Sequence, residues 1–269
     1  MRRRRTDARW ATTRGTDRAG LRMVKRLGIP LTALFAVLFS ALLRAAAPAT
    51  QPSAAAALTP FAVTYEVVFR GMNAGSSSLE LTSENNGQWR YVSRNNARGI
   101  FRLALPGEIR QTSIFTIDDG GIKPLRYLAD DGTKSTAKDI QLDFDWAGGK
   151  IRGVAEERRV ELALPEGLQD GMSVQIALMH ALLRGESPRG FSLIDKDAIK
   201  EYLYAAEPPV RLRTVAGELD TAVWSSRRPN SNRITRVWYA PSLGYLPVQA
   251  ERRKGDTVEW SMRLKTWRR

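Results

Sequence analysis

The fold is decided by a stretch of alternating side chains, Phe61-Ala62-Val63-Thr64-Tyr65-Glu66-Val67-Val68-Phe69. Every second residue in it is large and apolar, which is the two-residue period of a β-strand with one buried face. The same alternation returns at residues 140–146 and again at residues 258–264. We therefore predict a mainly β protein in which these strands turn one apolar face to a common core.

Turn signals separate the strands of this pattern. The segments Asn85-Asn86-Gly87 and Ala147-Gly148-Gly149-Lys150 contain residues that favour tight hairpin turns. A strand at 122–128 contains Pro124, so we expect it to lie at an edge of the sheet or to begin after the proline. Further strands are predicted at 199–206, 210–216, 218–227, 233–240, 245–253 and 256–267. Many short strands separated by turns predict a curved antiparallel sheet or a barrel-like fold.

One segment breaks the two-residue period and predicts a helix near 171–184. Apolar residues recur there at helical spacing, at Met172, Ile176, Met179 and Leu183. Asp170 is placed to cap the amino end of this helix, and Gly185 is placed to end it. Because the helix falls between two groups of strands, we expect it to pack against the sheet or to fill one end of a barrel.

The beginning of the chain predicts export. Residues 23–49 have the parts of a secretory signal peptide, namely basic residues, an apolar run at 27–43 and small residues that end at Ala49. Cleavage after Ala49 would release a periplasmic protein without a membrane span. The alternative is an inner-membrane anchor formed by residues 27–43, since an apolar run of this length is close to the shortest membrane span. Both alternatives send the C-terminal part across the membrane.

The other boundaries follow from composition. Residues 1–22 are expected to be disordered or to come from a mis-assigned start, because Met23 with the basic residues after it is itself a good signal-peptide start. Residues 50–60 are rich in small residues and predict a linker. The remaining residues, 61–267, are enough for a single β-rich domain with its own core.

The net charge of +14 is concentrated outside the β-rich part. Residues 1–49 hold eleven of the 42 Lys and Arg residues but two of the 28 Asp and Glu residues, so they carry +9 of the total. The rest is a mildly basic mixed surface, unlike the clustered footprint of a nucleic-acid-binding protein. Local patches at Arg227-Arg228 and Arg252-Arg253-Lys254 are typical of solvated turns or edge strands, with contact to anionic lipid or glycan as the alternative. We predict no nucleic-acid partner.

The residue types of common catalytic and metal sites are missing from the sequence. The chain has no cysteine and one histidine, His180, which lies in the predicted helix. Common zinc sites need more such ligands, and no G-x-S-x-G elbow presents a serine. Phosphate-loop and dinucleotide-binding motifs are also missing. We therefore predict a non-enzymatic protein without a metal or cofactor, in which His180 has a structural or surface role.

Paired carboxylates give an alternative function directed at glycans. Asp143 and Asp145 project to one face of a predicted strand, and Glu156-Glu157 follows later in the chain. Two carboxylates on one concave wall can carry out acid–base chemistry on sugars, and such pairs can also bind calcium. The ordinary interpretation is the solvated face of a half-buried sheet.

Aromatic residues of the C-terminal half are the candidates for ligand contacts. They are Trp224, Trp238, Tyr239 and Trp260. Most should belong to the core, but some could line a cavity for an acyl chain or stack on a sugar. A curled sheet encloses either a filled core or a pocket, and the sequence leaves both open.

Several short motifs occur in a fixed order along the chain. They are Tyr65-Glu66-Val67 with Gly71 and Gly75, residues 108–115 followed by Pro124 and Tyr127, Asp170-Gly171-Met172-Ser173, residues 217–224, and residues 238–248. In this order they resemble an exported bacterial family, domain of unknown function 3108, over about residues 60–267. The resemblance implies a periplasmic, mainly β protein of a Gram-negative bacterium. It implies no activity and no functional residues, since the motif residues look architectural.

Three hypotheses about function remain. The first is a non-enzymatic periplasmic protein that binds an amphiphilic ligand, such as a lipid, or an envelope partner in its curved sheet. The second is a glycan-binding or glycan-active envelope protein that uses the paired carboxylates. The third is a structural partner in envelope assembly, recruiting another protein through an exposed edge strand.

Overall fold

In the computed structural model, residues 57–269 are described. They form fourteen strands, one α-helix and two short 3₁₀ turns. The strands are β1 Phe61–Phe69, β2 Met72–Ser83, β3 Trp89–Ala97, β4 Ile109–Asp118, β5 Gly121–Asp130, β6 Ile140–Asp145, β7 Lys150–Ala155, β8 Arg158–Ala163, β9 Gly190–Asp195, β10 Ala198–Thr214, β11 Gly217–Arg227, β12 Arg233–Ala240, β13 Leu246–Lys254 and β14 Thr257–Arg268. Helix α1 is Ser173–Leu183, and the 3₁₀ turns are Gly99–Leu103 and Pro241–Leu243. The prediction of a mainly β fold with one helix near 171–184 is confirmed.

The predicted leader lies outside the described residues. The start at 1–22, the signal peptide at 23–49 with its alternative as an anchor, and most of the linker at 50–60 therefore stay predictions. The last part of the predicted linker is described, and there Leu58 is buried in the core with 7% of its surface exposed. Packing thus begins a few residues before β1.

The strands form one antiparallel sheet, and the first strand of the chain, β1, lies in the middle of it. β1 lies between β2 and β14, and the sheet runs in chain order from β1 to one edge at β8. The chain then passes through α1 to the other edge at β9 and returns in chain order to β14. The sheet is not closed into a barrel, because β8 and β9 are its two edges.

The segment just before α1 connects distant parts of this sheet. The Gln169 N–H donates a 2.9 Å hydrogen bond to the Ser192 carbonyl, and the Ile194 N–H donates one of 2.9 Å to the Gln169 carbonyl. The Gln169 side-chain amide donates to the Ile122 carbonyl at 2.9 Å. Edge strand β9 is therefore tied to β5 on the other side of the sheet.

The core lies on one face of the sheet, the inner face. Strand register places the inner-face residues side by side, as in the pairs Val63 with Leu79 and Leu81 with Tyr91. The largest fully buried side chains include Tyr65, Tyr91, Phe115, Leu81, Leu142, Ile151, Leu168, Ile176 and Met179. Because α1 contributes buried residues to this same cluster, the helix fills part of the space that the curved sheet encloses.

A buried carboxyl group fixes the start of α1. The Asp170 Oδ1 accepts 2.7 Å hydrogen bonds from the Met172 and Ser173 N–H groups, and Oδ2 accepts a 2.6 Å bond from the Ser113 hydroxyl on β4. Burial raises the pKa of Asp170 from 3.8 to about 6. At the other end Gly185 has φ +75° and its N–H donates to the Leu182 carbonyl. Both predicted end residues of the helix thus act as expected.

Prolines are accommodated where a strand lacks a partner on one side. The predicted strands 199–206 and 210–216 form one long strand, β10, which contains Pro208 and Pro209 at a bulge opposite β11. β9 pairs with β10 only up to Leu203, so the prolines face an open edge. Pro124 lies in β5, an interior strand, but β6 pairs with β5 only from Arg126 onward. The prediction that this strand lies at an edge or begins after the proline is therefore wrong. The proline is tolerated because β5 has no partner strand on the β6 side at this position.

Candidate functional site

An apolar cavity of about 420 Å³ lies at one end of the sheet. It is found where β1 and β3 end and where β2, β4 and β14 begin. The lining comprises Val67, Phe69, Ala74, Gly75, Ser76, Asn95, Asn96, Ala97, Phe101, Leu105, Ile109, Trp260 and Met262. Ligand pockets typically have about 300–1,000 Å³, so this cavity is large enough to hold part of a small molecule.

The apolar lining continues the alternation that forms the core. In the register of β1 with β14, Val67 pairs with Met262 and Phe69 pairs with Trp260. These residues share the inner face with Tyr65, because side chains two residues apart on a strand point the same way. The same apolar pattern that is buried in the middle of the sheet therefore surrounds an open space at its end.

A loop between β3 and β4 forms one wall of the cavity. Its 3₁₀ turn places the Phe101 ring edge-on against Phe69, with the ring centroids 6.0 Å apart and the planes at 78°. The Arg98 N–H donates a 2.8 Å hydrogen bond to the Ala74 carbonyl on β2. On the far side the Asn96 side-chain amide donates to Glu108 at 3.0 Å. The loop is thus held against the strands at both ends.

Gly75 permits the close approach of β2 and β3 beside the cavity. Its φ is +144°, and a Cβ at this position would collide with the Asn96 carbonyl oxygen. Any other residue would push the two strands apart where they line the cavity. The glycine that the sequence motif singled out is therefore a residue that shapes the site.

The outer side of this wall exposes apolar side chains to water. Leu103 has 90% of its surface exposed and Ile100 has 68%. Met72, the first residue of the neighbouring strand β2, is 50% exposed. Contiguous exposed apolar side chains are uncommon on protein surfaces and often mark contact sites.

Two arginines without carboxylate partners lie over aromatic rings of the cavity lining. Within residues 57–269, eleven of the 23 arginines have no carboxylate oxygen within 4.0 Å. Arg70 and Arg252 are two of these eleven, as are Arg98 and Arg102, which line a neighbouring cavity together with Glu66 and Lys265. Arg252 lies over the Trp260 ring at 5.4 Å, and Arg70 lies over the Phe69 ring at 5.5 Å. Apolar groups and unneutralised cations therefore occur together here, which favours a ligand with an apolar part and a negative charge.

The four aromatic candidates do not come together in one site. Trp260 lines the cavity. Trp224, Trp238 and Tyr239 are buried in the core cluster on β11 and β12. A ligand contact by these three stays a prediction. Sequence reasoning missed most of the lining residues. One signal could have found part of the lining: several apolar residues occur at 99–106, between two strands, without a strand pattern of their own.

The paired carboxylates are bound to arginines on the outer face. Asp143 alternates with the buried Leu142 and accepts a 2.6 Å ion-paired hydrogen bond from Arg126. Asp145 lies 3.4 Å from Arg152 and caps the following turn. In the other acidic candidate, Glu156 pairs with Lys196 at 2.7 Å. Nothing in this geometry favours glycan chemistry at these residues.

The remaining titratable candidates have ordinary structural roles. His180 is half-buried on α1, and burial followed by the nearby Arg184 lowers its pKa. Asp118 and Asp130 close turns, since their Oδ1 atoms accept hydrogen bonds from the Gly120 and Gly132 N–H groups. Asp130, Asp131 and Asp139 lie close together, but Asp131 is bonded to Thr133 and faces Lys138.

Fold and site together define a curved β-sheet protein with an apolar cavity at one end. The family model described as "Protein of unknown function (DUF3108)" matches residues 64–256, so the chain belongs to this family. The resemblance seen in the sequence motifs is confirmed. No curated protein matches the chain. In residues 57–269, no helix is both long enough and apolar enough to cross a membrane.

Comparison with solved structures found weak similarities to proteins of low sequence identity. A β-barrel-like protein of domain of unknown function DUF1849 from Brucella abortus has a TM-score of 0.51 and 12% identity, covering 79% of this chain and 98% of that one. This similarity supports the barrel-like class of the fold. MucB has a TM-score of 0.31 and 10% identity, with 78% of this chain and 52% of that chain covered. A Bacteroides fragilis protein with a YmcC-like fold, described as a candidate exported protein, has a TM-score of 0.30 and 9% identity, with 78% and 95% covered.

Proposed function

We propose that this protein is a non-enzymatic binding protein of the bacterial periplasm that holds the apolar chain of an anionic amphiphile in the cavity beside Trp260. The observation that carries the proposal is the combination found at this end of the sheet. Ten of the thirteen lining residues are apolar or glycine, while Arg70 and Arg252, which have no carboxylate partner, lie over the rings of the lining residues Phe69 and Trp260. Sites of this kind hold a ligand by burying its apolar surface and orient it with a few polar groups.

The polar groups of the lining support a binding role over a catalytic one. They are Ser76, Asn95 and Asn96, which can donate or accept hydrogen bonds but do not titrate near neutral pH. General acid–base catalysis needs a titratable group within reach of the reacting atoms, and none of the lining side chains is one. Arg252, which lies 5.4 Å from the Trp260 ring, offers a cation for a headgroup.

The first test asks whether the exported protein carries a ligand. The protein would be purified after export in a Gram-negative host, and its bound lipids would be extracted and identified by mass spectrometry. We expect an anionic amphiphile in a fixed ratio to protein. The matched variant is Ala97→Phe, which places a ring in the cavity, with Val154→Phe on the outer face as its control. We expect Val154→Phe to retain the lipid and Ala97→Phe to lose it.

The second test measures affinity with a defined probe. Dansylated undecanoic acid combines an anionic group with an alkyl chain, and its binding is read by energy transfer from tryptophan. Each methylene buried in the cavity should tighten binding about fourfold, at about 0.8 kcal/mol per methylene. Equal affinity for a shorter-chain homologue, or unchanged affinity in Ala97→Phe, would refute the proposed site. Trp260→Phe should weaken the energy transfer more than the affinity, because it keeps an aromatic ring in the lining.

A further inference from the structure

The loop at residues 98–105 presents apolar side chains away from the protein. Ile100 and Leu103 are on its outer side, while Phe101 and Leu105 line the cavity behind it. Phe101 and Leu105 face the apolar residues of the strands that line the cavity. The outward residues have no such partner, so burying them requires a second molecule or surface.

Basic residues alternate with these apolar ones. Arg98 precedes Ile100, and Arg102 precedes Leu103; both arginines are exposed, and neither has a carboxylate within 4.0 Å in the described part of the chain. Arg70, in the adjacent β1–β2 connection, and Met72, at the start of β2, repeat the combination. Apolar residues among Lys or Arg are typical of segments that lie in a membrane interface.

The loop is held in position rather than free to fold back. Its first N–H is bonded to the Ala74 carbonyl, and Phe101 packs on Phe69. After the loop, Gly107 and Gly132 bring their backbones so close that neither position has room for a Cβ. The backbone that carries the exposed side chains is therefore fixed by contacts with the strands, which lowers the entropy cost of binding.

We propose that the 98–105 loop docks the protein on an anionic phospholipid bilayer. Ile100 and Leu103 enter the region between headgroups and acyl chains, and Arg98 and Arg102 contact lipid phosphates. Charge favours a bilayer over a protein partner, because arginines without carboxylate partners next to aliphatic side chains match lipid phosphates above acyl chains. The inference goes beyond the proposed function, since docking does not need an occupied cavity. It would place the cavity behind the docked loop.

The absence of cysteine from the chain permits a specific test. Leu103→Cys is labelled with the environment-sensitive fluorophore NBD and mixed with vesicles of equal parts phosphatidylglycerol and phosphatidylethanolamine. The control is Val215→Cys, which is 60% exposed on the β10–β11 turn at the opposite end of the sheet. We expect a blue shift and at least a twofold rise in emission at position 103, quenched by nitroxide lipids, and no change at position 215. The label reports the loop itself, so the basic leader cannot produce this result.

A second comparison tests the charges. In the labelled protein, Arg98→Gln with Arg102→Gln should lower the partition coefficient on the order of 30-fold. The control Arg268→Gln with Arg269→Gln removes two exposed arginines at the opposite end of β14 and should change it less than threefold. Raising the salt to about 1 M should weaken docking of the unaltered loop, because the Debye length falls to about 3 Å.

The outcomes separate this inference from the proposed function. No spectral change at position 103, an equal change at position 215, or an equal response to phosphatidylcholine vesicles would overturn docking on anionic lipid. The variant Ala97→Phe should dock normally while it fails to bind the dansylated probe. Docking without probe binding by the unaltered protein would reject the proposed function alone, and probe binding without docking would reject this inference alone.

Discussion

The two ends of the sheet differ in how their inner face is filled. At the end where Trp89 pairs with Phe115, the inner face is occupied by α1 and the segment before it. At the end where Asn95 pairs with Ile109, the inner face surrounds a cavity and the adjoining loop exposes apolar side chains. We call these the closed end and the open end. The comparison indicates that stability is concentrated at the closed end, which leaves apolar surface available for binding at the open end.

The contacts at the closed end join the helix to several strands. Asp170 bonds to Ser113 on β4, and Tyr91 on β3 donates a 2.8 Å hydrogen bond to Gln175 on α1. The hydrogen bonds of Asp170 and Tyr91 specify one position of the helix, because an alternative position would leave these buried groups without partners. One buried side-chain atom of this end, Gln169 Oε1, has no hydrogen-bond partner.

The largest expected effect is the loss of the Asp170 side chain. Asp170→Ala leaves two backbone N–H groups and the Ser113 hydroxyl without their acceptor in a buried site. Each buried unsatisfied group costs about 1–3 kcal/mol, so we expect a loss of about 3–5 kcal/mol in the free energy of unfolding. Urea denaturation followed by circular dichroism measures it. Asp170→Asn keeps an acceptor oxygen and should lose less than half as much; equal losses would argue against the hydrogen bonds as the cause.

Removing apolar volume at the closed end should have the next largest effect. Leu168 is fully buried, with 0% of its surface exposed, just before α1. Leu168→Ala should cost about 3 kcal/mol, within the range of about 2–5 kcal/mol for leucine truncation in a core. The same denaturation experiment gives the value. A loss below about 1 kcal/mol would mean that this end is packed more loosely than the structure shows.

The raised pKa of Asp170 predicts a pH dependence of stability. The folded-state value of about 6 lies above the ordinary 3.8, because burial disfavours the charged form. The folded protein therefore holds this proton more tightly than the unfolded chain. The stabilising contribution of the protonated group is complete below about pH 4 and is lost as the pH rises through 6.

The variant Asp170→Asn isolates this dependence from other groups. Asp118, Asp131 and Asp197 have lowered pKa values, through hydrogen bonds to Lys123, Thr133 and Arg158 respectively, and give the opposite slope. The difference in stability between the wild type and Asp170→Asn should fall by about 2–3 kcal/mol from pH 4 to pH 7. If the stability difference between the wild type and Asp170→Asn rises with pH, the folded protein stabilises the ionised form of Asp170, and its pKa is lowered instead of raised.

A smaller effect is expected for the hydrogen bond between Tyr91 and Gln175. Tyr91→Phe removes a buried hydroxyl whose partner is only partly buried, so the cost should be about 1 kcal/mol. A double-mutant cycle with Gln175→Leu should give a coupling energy of about the same size. Coupling indistinguishable from zero would mean that the tyrosine contributes through packing alone.

The fold followed from local patterns, whereas the site did not. Alternation of apolar residues located β1, β6 and β14, and helical spacing between capping residues located α1, because these signals arise within a few neighbouring residues. Strand order depends on long-range pairing. No local signal places β1 beside β14, or leaves β8 and β9 as the two edges.

The cavity was harder to predict because it depends on what fills the inner face. Trp224, Trp238 and Trp260 have similar sequence contexts, yet one of the three lines the cavity. Trp260 lies near the beginning of β14, at the end of the sheet that holds the cavity, whereas Trp238 lies near the end of β12, towards the opposite end. This position along the sheet depends on strand pairing, which the local sequence does not show. The loop at 98–105 has no strand or helix pattern in its sequence. Its apolar residues indicate a binding surface only when the structure shows that some of them are exposed to water.

The smallest expected effect sharpens the comparison between the ends. Leu103→Ala removes the same atoms as Leu168→Ala, but from a side chain that is 90% exposed. Because little of the Leu103 surface is buried in the folded protein, its removal should change the free energy of unfolding by less than about 0.5 kcal/mol. Denaturation of both variants in one buffer gives the ratio directly. A cost for Leu103→Ala similar to that for Leu168→Ala would show that the loop is packed in solution. In that case the open end would not be available as a binding surface, and the distinction between a stabilising end and a binding end would fail.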